Sequence, residues 1–350
     1  MEIKFFDAGC GDAIHIRFLG DDGLYHNILI DGGSESEDIY TNSIRKEIEK
    51  IVQRSEIIDL WIITHIDDDH IGGILRLIND ETIFSQLDIS KTKVWYNYSQ
   101  WDYDTGIRNT NLKSVRQGIK LREFLSKHAH LNEFITDELG VIDFLGARIT
   151  LLSPDSEKLK KMIIKWKREE IKIVKKKSAE KKAGKKNDYK TKLEDFNLEL
   201  FKEDNSEENG SSIAFILTFN GSNFLFLADS HPSVISRALR NLGYLPGEKK
   251  IELAYMQVSH HGSKFNTSDL LLDLINCGHF IISADGLNKN NLPNKETLVR
   301  IIRHNSKRNL QFHITQKNRL TTSIFDVDGK IENVSILYPE AQNNYLTFNL

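Results

Sequence analysis

The run Asp59-Leu60-Trp61-Ile62-Ile63-Thr64, followed at once by His65-Ile66-Asp67-Asp68-Asp69-His70, constrains this chain more than any other feature. The apolar run reads as an interior strand, and a buried strand does not end in two imidazoles and three carboxylates without a chemical reason. His65, Asp67, Asp69 and His70 set four metal-capable side chains within six positions, just ahead of Ile71-Gly72-Gly73. Alternation along an extended segment would bring His65, Asp67 and Asp69 to one side, and a turn into a helix would bring His70 round to join them. The plainer alternative is an Asp-rich turn capping a helix, but a cap needs one oxygen acceptor rather than this whole set.

Around this element, short strands and helices follow one another. Residues 3–6, 13–19 and 26–31 read as a β-meander, and 42–54 as a helix carrying Ile44, Ile48 and Ile51 at helical spacing. Farther on come a strand at 93–97, an amphipathic helix at 112–128 and a hairpin or strand pair at 141–152. Asn220-Gly221 is a strong two-residue turn signal between strands at 213–219 and 223–228. Helix and strand patterns then alternate through 234–241, 253–258, 267–276, 280–284 and 295–305, and three short strand-like runs close the chain. Two β-rich halves, each ending in helices, predict an α+β fold, an αββα sandwich, with residues 1–350 as a single domain.

A charged segment at 155–208 interrupts this pattern. Between Lys158 and Lys192 there are sixteen basic and four acidic residues, and a short acidic stretch follows at 194–208. Met162, Ile163, Trp166, Ile171 and Val174 predict a helix in its first half, while 175–190 is polar enough to be mobile. A solvated insertion and an arm that meets nucleic acid or a partner protein are both open readings of this block. The net charge of −3 over 350 residues gives no whole-molecule field for drawing in polyanions. The start of the chain lacks a basic region followed by an apolar run, and no apolar stretch approaches the ~20 residues that span a bilayer. Cys10 and Cys277 show no CxxC spacing. A soluble, cytoplasmic, reduced protein without a membrane partner is the expectation.

The pattern His-x-Asp-x-Asp-His followed by Ile-Gly-Gly resembles the signature of the metallo-β-lactamase superfamily, with Asp67 where a second histidine commonly stands. This variant is similar to the DNA-uptake competence hydrolases. Other landmarks agree along residues 3–305. Asp7-Ala8-Gly9-Cys10-Gly11-Asp12-Ala13 resembles their Gly-x-Gly-Asp turn, and Ile28-Leu29-Ile30-Asp31-Gly32-Gly33 their second strand. Asn209-Gly210-Ser211-Ser212-Ile213, Phe226-Leu227-Ala228-Asp229 and Val258-Ser259-His260-His261-Gly262-Ser263-Lys264 resemble the downstream elements. The resemblance implies metal ligands at His65, Asp67, Asp69, His70, Asp229, His260 and His261, with Asp229 bridging and with Asp69, His70 and Asp229 central to catalysis. Asp12 and Asp31 are implied as supporting carboxylates that do not bind metal. Two departures stand out: Ala228 replaces the usual glycine, and Asn288-Lys289-Asn290-Asn291-Leu292-Pro293 lacks the family's late histidine, leaving Leu292 to reshape a pocket.

So many carboxylates beside imidazoles favour two divalent ions, zinc or manganese, and two such ions ~3.5–4 Å apart suit in-line phosphoryl displacement by an activated water. A phosphodiesterase or nuclease acting on DNA or RNA is therefore expected, with bacterial defence against foreign nucleic acid as one setting. A small-molecule phosphodiester or ester hydrolase and a non-catalytic, metal-stabilised binding subunit are the alternatives. Ser263, Lys264, Asn288 and Asn291 are weaker candidates for contacting a phosphate. Trp95, Tyr96, Tyr98, Trp101 and Tyr103 either line a groove on which bases stack or pack and cover a core strand.

Overall fold

The computed structural model describes residues 1–99, 113–172, 187–288 and 290–350. Two large sheets form its centre. One has the strand order Tyr345–Asn349, Glu2–Phe6, Ala13–Leu19, Tyr25–Asp31, Leu60–Ile63, Lys93–Tyr96 and His130–Asn132. The other runs Val334–Leu337, Leu310–Ile314, His279–Ile282, Tyr255–Gln257, Ser222–Phe226, Ala214–Phe219, Ala147–Ser153 and Val141–Phe144. Each sheet is antiparallel at one end and parallel at the other: from Tyr25–Asp31 onward in the first, and from Ser222–Phe226 through Val334–Leu337 in the second.

The inner faces meet through aliphatic and aromatic side chains. Phe5, Ile14, Ile16, Ile28, Leu60 and Ile62 of the first sheet join Ile149, Phe215, Leu217, Phe224 and Phe226 of the second in one buried cluster. Phe5 stacks on Phe224 and Phe226, with ring centroids 5.8 and 6.0 Å apart. Helices cover both outer faces. Ile44–Gln53, Asp68–Leu77, Lys113–His128 and Ser156–Lys172 lie over the first sheet, and Pro232–Asn241, Asp269–Leu274 and Lys295–His304 over the second. This is the αββα layering expected from the sequence. The Asn220-Gly221 turn also forms, with φ of +50° and +80° that match a right-twisted two-residue hairpin.

The charged segment departs from expectation. Its helix, Ser156–Lys172, is not merely solvated: Leu159, Met162 and Trp166 are buried against the first sheet's helical layer. Lys165 pairs with Glu207 and Glu208 at 3.0 and 2.6 Å, so part of the basic charge is answered by the acidic stretch of the same segment. Residues 173–186, the most lysine-rich part of the arm, lie outside the described residues. At its far end Tyr189 is buried and donates to Pro293 O at 3.0 Å, which corrects the expectation of a mobile chain up to residue 190. Apolar burial of a single Tyr overrides the polar character of its neighbours. Trp95, Tyr96 and Tyr98 are core residues, with 6%, 0% and 8% exposure, so they offer no stacking groove; Trp101 and Tyr103 lie outside the described residues.

An ionic knot fastens Ile44–Gln53 to the first sheet. The fully buried Glu47 carboxylate accepts from Lys4 Nζ at 2.7 Å, lies 2.9 Å from His15 Nδ1 and accepts from Lys50 Nζ at 3.0 Å. Burial opposes its ionisation, but His15 and Lys4 outweigh that and hold its pKa well below the usual carboxylate range. Glu47→Ala is expected to cost about 3–5 kcal/mol in urea unfolding, because His15 would remain buried without its anion and Lys4 would keep only the partly exposed Glu2 carboxylate at 3.2 Å. The pKa is depressed in the fold, so this contribution is complete above the unfolded glutamate's pKa of about 4.3 and fades as pH falls below it. Glu47→Gln should accordingly flatten the acid limb of the stability–pH curve.

Candidate metal centre

The parallel strands deliver their C-terminal ends to one rim, where both sheets contribute to a single cluster. Leu60–Ile63 ends and the chain continues through Thr64, His65 and Ile66 to Asp67, which takes the N-cap of Asp68–Leu77. The expected convergence by strand alternation is thus corrected. The strand stops at Ile63, and the first helical turn is what carries Asp69 and His70 to the site. Asp67 has the extended backbone of a cap, yet its side chain makes no capping hydrogen bond, so helix capping does not consume this carboxylate. The helix start packs directly on the Gly32-Gly33 turn: His70 O accepts from Gly32 N–H at 2.8 Å, and Gly73 N–H donates to Gly33 O at 2.9 Å. A Cβ at Gly73 would stand 1.9 Å from Gly32 O, so only glycine permits this approach.

Asp229, 2% exposed, sits at the centre of the cluster. Its Oδ1 lies 3.5 Å from His70 Nε2 and 3.5 Å from His261 Nε2. Its Oδ2 lies 3.7 Å from His65 Nε2 and 3.6 Å from His260 Nε2. One buried carboxylate therefore faces four imidazoles, two on each oxygen. Asp69 Oδ2 adds a further oxygen 3.4 Å from His261 Nε2, and Asp67 Oδ2 stands at the rim, 3.9 Å from His65 Nε2. Among the described residues, the groups whose ligand atoms come within 4.8 Å of one another are His65–His70–Asp229, Asp69–His70–His261, Asp12–Asp229–His261 and Asp12–Asp31–His70. Asp67 and His260 fall outside those sets.

The far side of each ring is held by the protein. His70 Nδ1 lies 2.7 Å from Asp31 Oδ2, and the same fully buried carboxylate accepts from Thr64 N–H at 2.8 Å and Thr64 Oγ1 at 2.7 Å. His65 Nδ1 lies 3.1 Å from Thr64 Oγ1 and 3.2 Å from Ser212 Oγ. Gln257 ties the two halves: its Nε2 donates to Asp12 Oδ2 at 2.8 Å, and its Oε1 accepts from Leu227 and Ala228 N–H at 3.0 and 3.1 Å. Sequence reading passed over Gln257. It quoted Ser212 only as part of the Asn209–Ile213 pattern, and it placed Asp12 as support alone, whereas a carboxylate oxygen of Asp12 joins the cluster.

The donor set fits divalent cations. His65 Nε2, Asp229 Oδ1 and Asp12 Oδ1 are buried and have no hydrogen-bond partner in the protein, a costly condition that a bound cation would relieve. The 3.5–3.7 Å separations between the four imidazole Nε2 atoms and the Asp229 oxygens are too long for good hydrogen bonds. They are close to the ~3.4 Å expected between two ligands that each lie ~2.0–2.2 Å from one tetrahedral ion. Burial, then the positive charge of His70, hold His65 down to about 4, so its lone pair is available. Burial raises the Asp12 carboxyl, and burial together with Asp69, Glu208 and Asp229 pushes Asp67 up to about 7, the mark of carboxylates crowded without enough cation.

Of the remaining candidates, Ser263 and Lys264 line a recess of about 250 Å³ beside His260, together with Asp188, Phe265, Asn290, Leu292 and Asn294, whereas Asn288 and Asn291 do not. Lys264 Nζ is paired with Glu296 Oε2 at 2.9 Å, and the Ser263 hydroxyl accepts from Phe265 N–H at 3.3 Å. Asn288 organises its own loop, accepting from Asn290 and Leu292 N–H at 2.7 and 3.3 Å and donating to Cys10 Sγ. Asn291 adopts a left-handed backbone (φ +53°) in the same loop. No described helix is long and apolar enough to cross a membrane.

No family model and no curated protein matches this sequence. Solved structures do resemble it. The metallo-β-lactamase fold protein YhfI from Bacillus subtilis is 12% identical over 99% of this chain and 98% of its own, with a TM-score of 0.41. Zinc-bound PqqB from Methylobacterium extorquens is 12% identical over 97% of this chain and 87% of its own, at 0.42. A diphosphatase of the PhnP family is 11% identical over 100% of this chain and 98% of its own, at 0.40. At this distance nothing about the chemistry of this chain follows from theirs.

If the converging groups hold cations, Zn²⁺ or Mn²⁺ should stabilise the chelator-treated protein. At a hundredfold excess over Kd the gain is about 2.7 kcal/mol, a rise in Tm on the order of 5 °C for a chain of this size. Differential scanning fluorimetry checks this, and an unchanged Tm with both ions would count against the centre.

Proposed function

We propose that this protein is a metal-dependent hydrolase of phosphodiester bonds, with nucleic acid as its substrate. The single observation that carries the reading is the buried Asp229 carboxylate with two imidazoles on each oxygen, drawn from both halves of the sandwich. His65, His70, His260, His261, Asp12, Asp67, Asp69 and Asp229 would hold two divalent ions. When bound, such ions supply Lewis-acid polarisation of a phosphoryl oxygen and acidify a water.

The protein's own groups do the positioning. Asp229 keeps two pairs of imidazoles at a fixed separation, and Asp31 and Thr64 fix the ring of His70 from behind. Asp69 is the more open of the inner carboxylates, with 39% of its side chain exposed, and it can accept a hydrogen bond from an attacking water and orient it. Ser263, Asn290 and Asn294 line the adjoining recess, where a flanking nucleotide or leaving group would rest. Lys264 is paired with Glu296 and so is no free cation, and the Asp188 carboxylate that also lines the recess is held by the Lys295 and Glu296 N–H groups. The order of motifs shared with DNA-uptake competence hydrolases, and seven lysines within residues 173–186, favour nucleic acid over other phosphodiesters.

One observation favours the second reading, a small phosphodiester. The recess, at about 250 Å³, is slightly smaller than typical ligand pockets, which suits a mononucleotide-sized group. Incubation of the protein and Mn²⁺ with single- and double-stranded DNA and RNA, beside bis-(p-nitrophenyl) phosphate and cyclic nucleotides, separates the two. Cleavage of a polymer is expected, with His70→Ala and Asp229→Ala reduced to the background of Mn²⁺ in buffer. Turnover of the small esters alone would shift the assignment to the second reading, and turnover of neither would sink both.

A further inference from the structure

His70 and His65 are each held on the far nitrogen by residues from recognisable motifs. His260 is held differently. Its Nδ1 lies 3.1 Å from Asn266 Oδ1, 3.3 Å from Asp204 Oδ2 and 3.2 Å from Asn209 Nδ2, whose shorter contact is its 2.6 Å hydrogen bond to Asp204 Oδ2, while the His260 Nε2 lies 3.6 Å from Asp229 Oδ2. Asp204 belongs to the acidic stretch of the 155–208 segment, which has the composition of a solvated surface. It is nonetheless firmly fixed. Its Oδ1 accepts from Ser206 N–H at 3.0 Å, and its Oδ2 accepts from Asn209 Nδ2 at 2.6 Å and Asn266 Nδ2 at 3.3 Å. Together with the Asp229 and Ser230 carbonyls, which accept from the same Asn266 amide nitrogen at 3.2 and 3.4 Å, Asp204 leaves Asn266 Oδ1 directed at the His260 ring.

The backbone makes such support necessary. His260 sits at φ +51° and ψ +49°, a left-handed conformation that is unfavourable for L side chains and persists only where neighbours over-determine it. A carboxylate on the far nitrogen of a ligating imidazole fixes its tautomer, its orientation and its basicity. With the proton on Nδ1 directed at Asp204 and Asn266, the lone pair of Nε2 is left facing the Oδ2 side of Asp229.

We propose that Asp204 is a positioning residue of the metal centre: it holds His260 Nδ1–H, and through it the charged segment supplies a working part of the site. The inference rests on the metal-binding reading above. The test is titration of the chelator-treated full-length chain with Zn²⁺ in a calorimeter. Wild type is expected to bind two ions. Asp204→Asn should bind one as wild type does and the other about 10–100-fold more weakly. Asp204→Glu should recover part of the loss, and Glu199→Gln, an exposed change in the same stretch, none of it having been lost, should match wild type. In a His260→Ala background, Asp204→Asn should produce no further weakening. Unchanged affinity in Asp204→Asn overturns the inference alone. So does a loss shared equally by both ions, or one that persists without His260, because either would mean that Asp204 only holds the local fold. A wild-type chain that takes up no Zn²⁺ overturns the metal reading and the inference with it.

Discussion

A carboxylate almost fully removed from water and faced by four imidazoles is the constraint on which the rest of this structure turns. Asp229 stands at the junction of two sheets, and leaving it unpaired would cost several kcal/mol. The fold answers with imidazoles: His65 and His70 from the first half, His260 and His261 from the second. Four rings must therefore reach one point from segments almost two hundred residues apart. That requirement explains why turns and helix starts that directly follow strand ends, not outlying loop tips, carry the groups. The Leu60–Ile63 strand and the Ser222–Phe226 and Tyr255–Gln257 strands are clamped by the inner Phe cluster, so their C-terminal ends are held at fixed spacing.

Much of this was legible in the chain because its signals are local. The apolar run into His65–His70, the Asp31-Gly32-Gly33 turn and the Asn220-Gly221 hairpin each declare themselves within a few residues, and each forms as expected. The error over strand alternation was local too: Asp67 acts as a helix start, and a helix brings Asp69 and His70 round as an extended chain would not. The aromatic residues misled in the opposite way. Trp95 and Tyr96 are as compatible with a stacking surface as with a core; burial of Trp95 between the sheets and of Tyr96 under the helices of the first sheet decides for the core.

What the sequence withheld depends on distant partners. Gln257 reaches Asp12 across 245 positions, and the same side chain steadies Leu227 and Ala228 just before Asp229. Nothing about an isolated glutamine in an apolar strand announces that. Asp204 is the same case with a misleading context, since its neighbours Glu203, Glu207 and Glu208 make the stretch look like plain surface. The far sides of the rings are thus the least legible part of the site, although they decide where the near sides point.

Backbone strain is concentrated where these demands meet. Asp31, Ala228, His260 and His261 all have positive φ, at +54°, +44°, +51° and +55°, and all four border the cluster. Glycine would adopt the left-handed φ of Ala228 freely, whereas alanine costs about 1 kcal/mol or more. The turn is kept because it is pinned at both ends. Gln257 Oε1 takes the Ala228 N–H, and Ala228 O accepts from His260 N–H at 2.8 Å. The carbonyl just before Asp229 thereby fixes the backbone of His260, and the two strained turns support each other. The strain of an alanine here is absorbed by hydrogen bonds that also set the spacing between Asp229 and its fourth imidazole.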